Sequence, residues 1–204
     1  MIAPEPDRVM PVNVQPELVP RIISGRVRVL HVLDDRALRI GVGDALWVRE
    51  GVTISAPRVA GDDLLVRYLG DPVPRPHPWP GSHARPEKGW LPAERMPLQL
   101  SRLTLLVLRV TRIRLQQIDE SDILAAGVEL AHGGFGNPLQ LGASTSAYRT
   151  AHEAFGHFWD CLLGQGAIGR HAWTCNPEVT QIRFRALARN ARRLVPGLGS
   201  GGVM

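Results

Sequence analysis

A chain of 204 residues with 44% hydrophobic content can bury a sizeable core and is read as one folded domain. It holds no run of about 18 apolar residues, which excludes a membrane-spanning helix. The formal net charge of +5 and a sequence pI near 10.2 favour polyanionic partners. Of the 24 basic residues only Lys88 is a lysine, and the planar fork of arginine suits bidentate contact with phosphates and stacking on bases.

The first residues carry Glu5 and Asp7 among Pro4, Pro6 and Pro11 and lack the apolar stretch of a signal peptide. A cytoplasmic protein with reduced thiols at Cys161 and Cys175 is therefore expected. Residues 1–11 read as an extended lead-in. Leu18, Ile22 and Ile23 predict a short helix that Gly25 ends through a left-handed cap. Segment 26–33 alternates Arg26 and Arg28 with Val27 and Val29 and is predicted to be a strand. Gly43-Asp44 supplies a turn into a strand at 45–50, built on Leu46, Trp47 and Val48. Another strand is expected at 63–69.

Residues 71–92 are dense in Pro, His and Gly and read as a long loop, with Trp79 and Trp90 as exposed aromatic candidates. The strongest strand pattern is Leu103 to Leu115, with Arg112 and Arg114 opposite the Leu103, Leu105, Val107 face. Asp119 is placed to cap a short helix that Gly127 ends. Residues 131–146, with Gly133-Gly134-Phe135-Gly136, read as a loop. Tyr148, Ala151, Phe155, Trp159 and Leu162 recur at helical spacing, so 147–163 is predicted to be an amphipathic helix stopped by Gly164. Residues 179–186 alternate Ile182 and Phe184 with Gln181, Arg183 and Arg185, a half-buried strand with a basic outer face. An Arg-rich short helix and a Gly-rich tail are expected over 188–204.

Several constellations resemble chemical motifs and fail on spacing. His152 and His157 lie five residues apart, about 140° around an ideal helix, whereas a zinc-protease helix needs i and i+4. His157 with Cys161 and His171 with Cys175 repeat a His-x3-Cys pattern. The second pair falls near a strand start, where four residues span about 13 Å, too far for one metal unless the chain turns. No metal site and no cofactor is expected. Gly41-Val42-Gly43 matches no phosphate-loop pattern and reads as a turn.

Five fragments in fixed order carry a resemblance: Ile23-Ser24-Gly25-Arg26; Gly43-Asp44-Ala45-Leu46-Trp47-Val48-Arg49-Glu50; Met96-Pro97 with Ser101-Arg102; Ile118 to Gly127; and Phe155 to Asp160, followed by Trp173 and Asn176-Pro177. The chain resembles the phage and prophage branch of the ASCH-domain family. That resemblance implies an α+β fold, a small PUA-like β-barrel with flanking short helices, over about residues 12–187. Loop insertions would then fall at about 71–95 and 131–146. It also implies binding of RNA or a modified nucleotide. Some members resemble amidohydrolases of acylated cytidine, with a Lys, a Thr and a Glu in the signature. Here those positions fall on Val27, Leu30 and Ala126, and the signature Arg falls on Val32. None of these can move a proton, so a non-catalytic module is expected. The alternatives are a phage accessory protein that binds a host protein, and an amidohydrolase with a relocated site.

The expected nucleic-acid contacts are Arg26, Arg28, Arg112, Arg114, Arg183, Arg185 and Arg189, the last close to Arg192 and Arg193. Trp47, Glu50, Ser101 and Arg102, kept from the family pattern, are the cleft candidates.

Overall fold

The computed structural model describes residues 6–33, 39–55, 63–79, 85–131, 133–139, 148–164 and 169–194. The expected tail beyond residue 194, the parts of the two expected loops at 80–84, 132 and 140–146, and the first residue of the expected helix at 147 lie outside the described residues. The strands are β1 (Val9–Asn13), β2 (Val29–Leu33), β3 (Ala45–Arg49), β4 (Val52–Ser55), β5 (Asp63–Tyr68), β6 (Arg75–Pro78), β7 (Gly89–Leu91), β8 (Thr104–Arg114), β9 (Glu129–Ala131), β10 (Gly134–Gly136) and β11 (Glu178–Leu187). The helices are α1 (Val19–Ile23), α2 (Glu120–Ala125) and α3 (Ala151–Leu163). The fold is α+β, mostly sheet with few helices, and among the described residues no sheet closes on itself.

The chain divides into two compact units: residues 1–20, 43–106 and 186–204 form the first, and 21–42 with 107–185 the second. In the first unit β1 runs parallel to β3, with Val12 opposite Val48, and β3 is antiparallel to the start of β8. A separate four-stranded sheet has the order β6-β5-β4-β7. Its register sets Val52 against Tyr68 and Ile54 against Val66. Those alternate residues face one way and pack with Leu64, Trp79, Met96 and Leu100 into a closed apolar cluster. Period-2 alternation on β4 and β5 is what buries them on one face.

In the second unit β8, β11 and β2 lie in that order, and β2 pairs antiparallel with β11, setting His31 opposite Gln181. Asp119 caps α2 by accepting from Asp122 N. Thr150 caps α3 by accepting from Glu153 N, and Gly164 closes it at φ 69°. Phe155 on α3 meets Phe158, Trp173 and His31 in edge-to-face contacts, with centroids 5.1–6.0 Å apart. Gly156 lies under the Trp173 indole, where an added Cβ would sit 2.8 Å from the ring.

Several expectations need correction. The lead-in contains β1, and the 71–92 loop contains β6 and β7. Pro76 and Pro78 lie on β6, an edge strand, where a missing N–H costs no ladder bond. The 131–146 loop contains β10, which pairs with β9 through Phe135 and Leu130. In place of the Arg-rich helix expected after residue 187, a single 3-10 turn covers Ala191–Arg193, directly beyond β11 and its end at Leu187. The outer face of β11 is not uniformly solvated, because Gln181 is buried.

Candidate functional site

Two features of the first unit stand together on the four-stranded sheet. The first begins where β3 ends. Glu50 is 1% exposed, and both its oxygens accept from Arg102, Oε1 from Nε at 2.7 Å and Oε2 from Nη2 at 2.9 Å. Arg102 also donates from Nη1 to Asp71 at 3.0 Å, and its guanidinium lies 4.2 Å from the Tyr68 ring centroid. Asp71 accepts in turn from Arg75 and from Val73 N. Burial pushes the Glu50 carboxyl above its usual range, and the Arg102 hydrogen bonds and charge pull it back only in part. Burial also pushes Tyr68 up to about 12, and its hydroxyl donates to Leu100 O at 2.8 Å. The backbone N–H of Val73, with Arg75 and Arg102 beside it, holds Asp71 below the usual carboxylate range.

This cluster is a clamp. A carboxylate whose two oxygens are held in a bidentate fork has little freedom to take a substrate proton. Ser101 is buried and its hydroxyl faces Val48 O and Leu103 O at 3.0 and 3.1 Å, which tethers the start of β8 to β3. Trp47 is half-buried with the Arg49 guanidinium 5.7 Å from its ring. Of the four cleft candidates, the structure thus brings Glu50 and Arg102 into direct contact and uses Ser101 as a backbone tie.

The second feature is a cavity of about 550 Å³ lined by Trp79, Pro86, Glu87, Leu91, Arg95, Pro97 and Gln99. Trp79 directly follows β6, Leu91 belongs to β7, and Arg95 ends a 3-10 turn at Ala93–Arg95. His77 Nε2 lies 2.7 Å from Gln99 O, which ties β6 to the segment that carries Gln99. The walls combine an indole and aliphatic rings with one carboxylate, one amide and one guanidinium. A volume of several hundred Å³ with few polar groups is the usual form of a small-molecule site. The cavity is not legible in the sequence, where Trp79 in a Pro-rich stretch is expected to be exposed. Trp79 is 6% exposed, whereas Trp90 is 56% exposed on the edge strand β7.

The expected arginine contacts are spread over both units. In the second unit Arg28, Arg112, Arg114 and Arg185 are exposed, and Arg114 donates to Asn176 O at 3.2 Å. Arg26 is exposed with Glu129 3.8 Å away. Arg183 is paired with Asp122, which also accepts from Gln181 Nε2 at 2.7 Å. In the first unit Arg189 is exposed, and its carbonyl accepts from Thr104 at 2.8 Å.

Val27 and Ala126 are buried and apolar, and Val27 Cγ2 would lie 3.0 Å from a Cβ at Gly127. Leu30 pairs with Ile182. Beside them runs a polar chain. Asp122 can only accept, so Gln181 must present Nε2 to it and Oε1 to His31, whose Nε2 lies 3.0 Å away and donates. Burial draws His31 down to about 4, against the opposing influence of Gln181 and Asp122.

His157 and Cys161 stand together, with Nδ1 3.6 Å from Sγ. Among the described residues no group of three or more His, Cys, Asp or Glu side chains could hold a metal ion, and no helix is long and apolar enough to cross a membrane. Compared with protein-family models, with curated proteins and with solved structures, the chain gives no match.

Proposed function

We propose that this chain is a non-catalytic nucleic-acid-binding module, of phage type, that takes one nucleotide of an RNA, or a free modified nucleotide, into the Trp79 cavity. The observation that carries the reading is the lining of that cavity. The accessible edge of the Trp79 indole, with Pro86, Leu91 and Pro97, offers an apolar wall for a planar base, and Glu87 and Gln99 offer acceptors and donors to its edge. Arg95 supplies a fork for a phosphate. The volume of about 550 Å³ accommodates a nucleotide rather than a bare ion. The exposed arginines of the chain supply the electrostatic attraction that a polyanion needs.

The non-catalytic part of the reading is supported by Glu50, whose oxygens are both engaged by Arg102. It is supported again by the apolar surroundings of Val27 and Ala126. Within this proposal the sheets belong to a PUA-like barrel flanked by short helices, as the ASCH resemblance implies.

Titration of intrinsic tryptophan fluorescence with single- and double-stranded RNA and DNA tests the proposal. Binding that quenches the signal and weakens with added salt is expected. No binding at low ionic strength overturns it. Turnover of an acylated cytidine would overturn the non-catalytic part.

A further inference from the structure

The second unit contains two exposed cysteines, and among the described residues only Cys161 is placed beside a base. Cys161 lies on α3 four residues after His157, which brings Sγ to 3.6 Å from the ring Nδ1. Asn137 completes the group. Its side chain belongs to a residue only 3% exposed, and its Nδ2 is 3.0 Å from His157 Nδ1 and 3.9 Å from Cys161 Sγ.

The proton positions follow from the amide. Leu139 N donates to Asn137 Oδ1 at 2.9 Å, so that oxygen is an acceptor and the amide cannot be reversed. Asn137 therefore presents only N–H groups to its other neighbours. Its donation to His157 Nδ1 requires a lone pair there, which leaves the ring proton on Nε2. The nitrogen nearest the sulfur is thus the basic one. Tyr148 packs against the same ring with centroids 5.4 Å apart, which helps to hold its orientation.

We propose that Cys161 is a thiol-modification site, primed by His157 and Asn137 to exchange with small disulfides. In the step, Cys161 Sγ attacks one sulfur of the disulfide R–S–S–R while its proton passes to His157 Nδ1. A new Cys161 Sγ–S–R bond forms, the S–S bond of the incoming disulfide breaks, and the departing thiolate R–S⁻ takes the proton back from His157 to leave as R–SH. The electron count balances, because the incoming disulfide is reduced by the thiol it joins. When Nδ1 takes the proton, the Asn137 N–H directed at it is released toward the sulfur, which carries the developing charge. Cys161 lies near the C-terminal end of α3, where the helix dipole opposes a thiolate. The activation must therefore come from the two side chains. Both the Cys and the Asn address the same ring nitrogen, and among the described residues no side chain is placed to orient the base from its far side, as a hydrolytic triad requires. Exchange at one sulfur needs no such group.

Cys175 is an exposed thiol in the same chain and serves as the internal reference. The full-length protein is treated with the aromatic disulfide dithiobis(nitrobenzoate) at neutral pH, and the labelled cysteine is read by mass spectrometry against time. Cys161 is expected to react at least about tenfold faster than Cys175, below the range of positioned general bases in enzymes because this site is open to water. His157→Phe, on an exposed face of α3, is expected to bring the two rates together, with a lower melting temperature because the buried Asn137 amide loses its acceptor. His157→Gln, which keeps hydrogen bonding but not basicity, is expected to bring the rates together as well. Equal rates in the unsubstituted protein, or a Cys161 rate unchanged by both substitutions, would overturn the proposal.

Discussion

Arg102 holds both oxygens of Glu50, across 52 positions of chain, at 2.7 and 2.9 Å. Glu50 is 1% exposed and the Arg102 side chain 19%, so the two charges share a largely dry environment. Removing one partner leaves the other buried and uncompensated. Arg102→Ala is expected to cost about 3 kcal/mol in urea denaturation. The sign of its pH dependence follows from Glu50. A carboxyl raised in the folded state stabilises the fold while protonated and loses that contribution as pH rises through its folded value. The deficit of the variant is therefore expected to be larger at pH 8 than at pH 5. A double substitution to Leu at both positions is expected to recover much of the loss.

His31 gives the opposite titration. Its folded value of about 4 lies below the ordinary 6.5, so as pH falls the unfolded chain takes up the proton first. Stability is fully present above about pH 6.5 and is lost down to about pH 4, at most about 1.4 kcal/mol per pH unit for one proton. His31→Gln is expected to remove that slope. Denaturation midpoints measured across pH 4–7, with variant and parent compared, check it.

Gly156 makes room for Trp173. An alanine there gains helix propensity of about 1 kcal/mol, but its Cβ would sit 2.8–2.9 Å from three ring atoms. Overpacking wins where the ring cannot move freely, and Gly156→Ala is expected to lower stability by about 1–3 kcal/mol. Thermal melting of the variant measures it, and a rise in melting temperature would show that Trp173 gives way.

The regular parts of this fold are legible in its sequence because alternation and burial coincide. Leu64, Val66 and Tyr68 on β5 and the apolar stripe of α3 are examples. β6 is not legible, since Pro76 and Pro78 read as loop residues and only the finished sheet shows that they lie on an edge. Glu50 and Arg102 can each be singled out by their place in a resemblance. Their pairing cannot, because nothing local links residues so far apart. The cavity escapes for a related reason. Trp79 in a Pro-rich stretch looks solvent-facing until the four-stranded sheet packs it into one apolar cluster with Met96 and Leu100.

Charge at the cavity mouth gives a further expectation. Arg95 is exposed and lines the cavity, so Arg95→Glu is expected to weaken RNA binding about tenfold or more and to flatten its salt dependence. Stability should change by no more than about 0.5 kcal/mol at such a surface position. Fluorescence titration at two salt concentrations, with a melting curve beside it, separates these effects.

The most direct test of the central claim is photocrosslinking of the full-length protein to a single-stranded RNA carrying thiouridine, with the crosslinked peptides identified by mass spectrometry. Crosslinks are expected on the peptides that contain Trp79, Leu91 or Gln99. Crosslinks confined to the β8 and β11 arginines, with none at the cavity, would contradict the account.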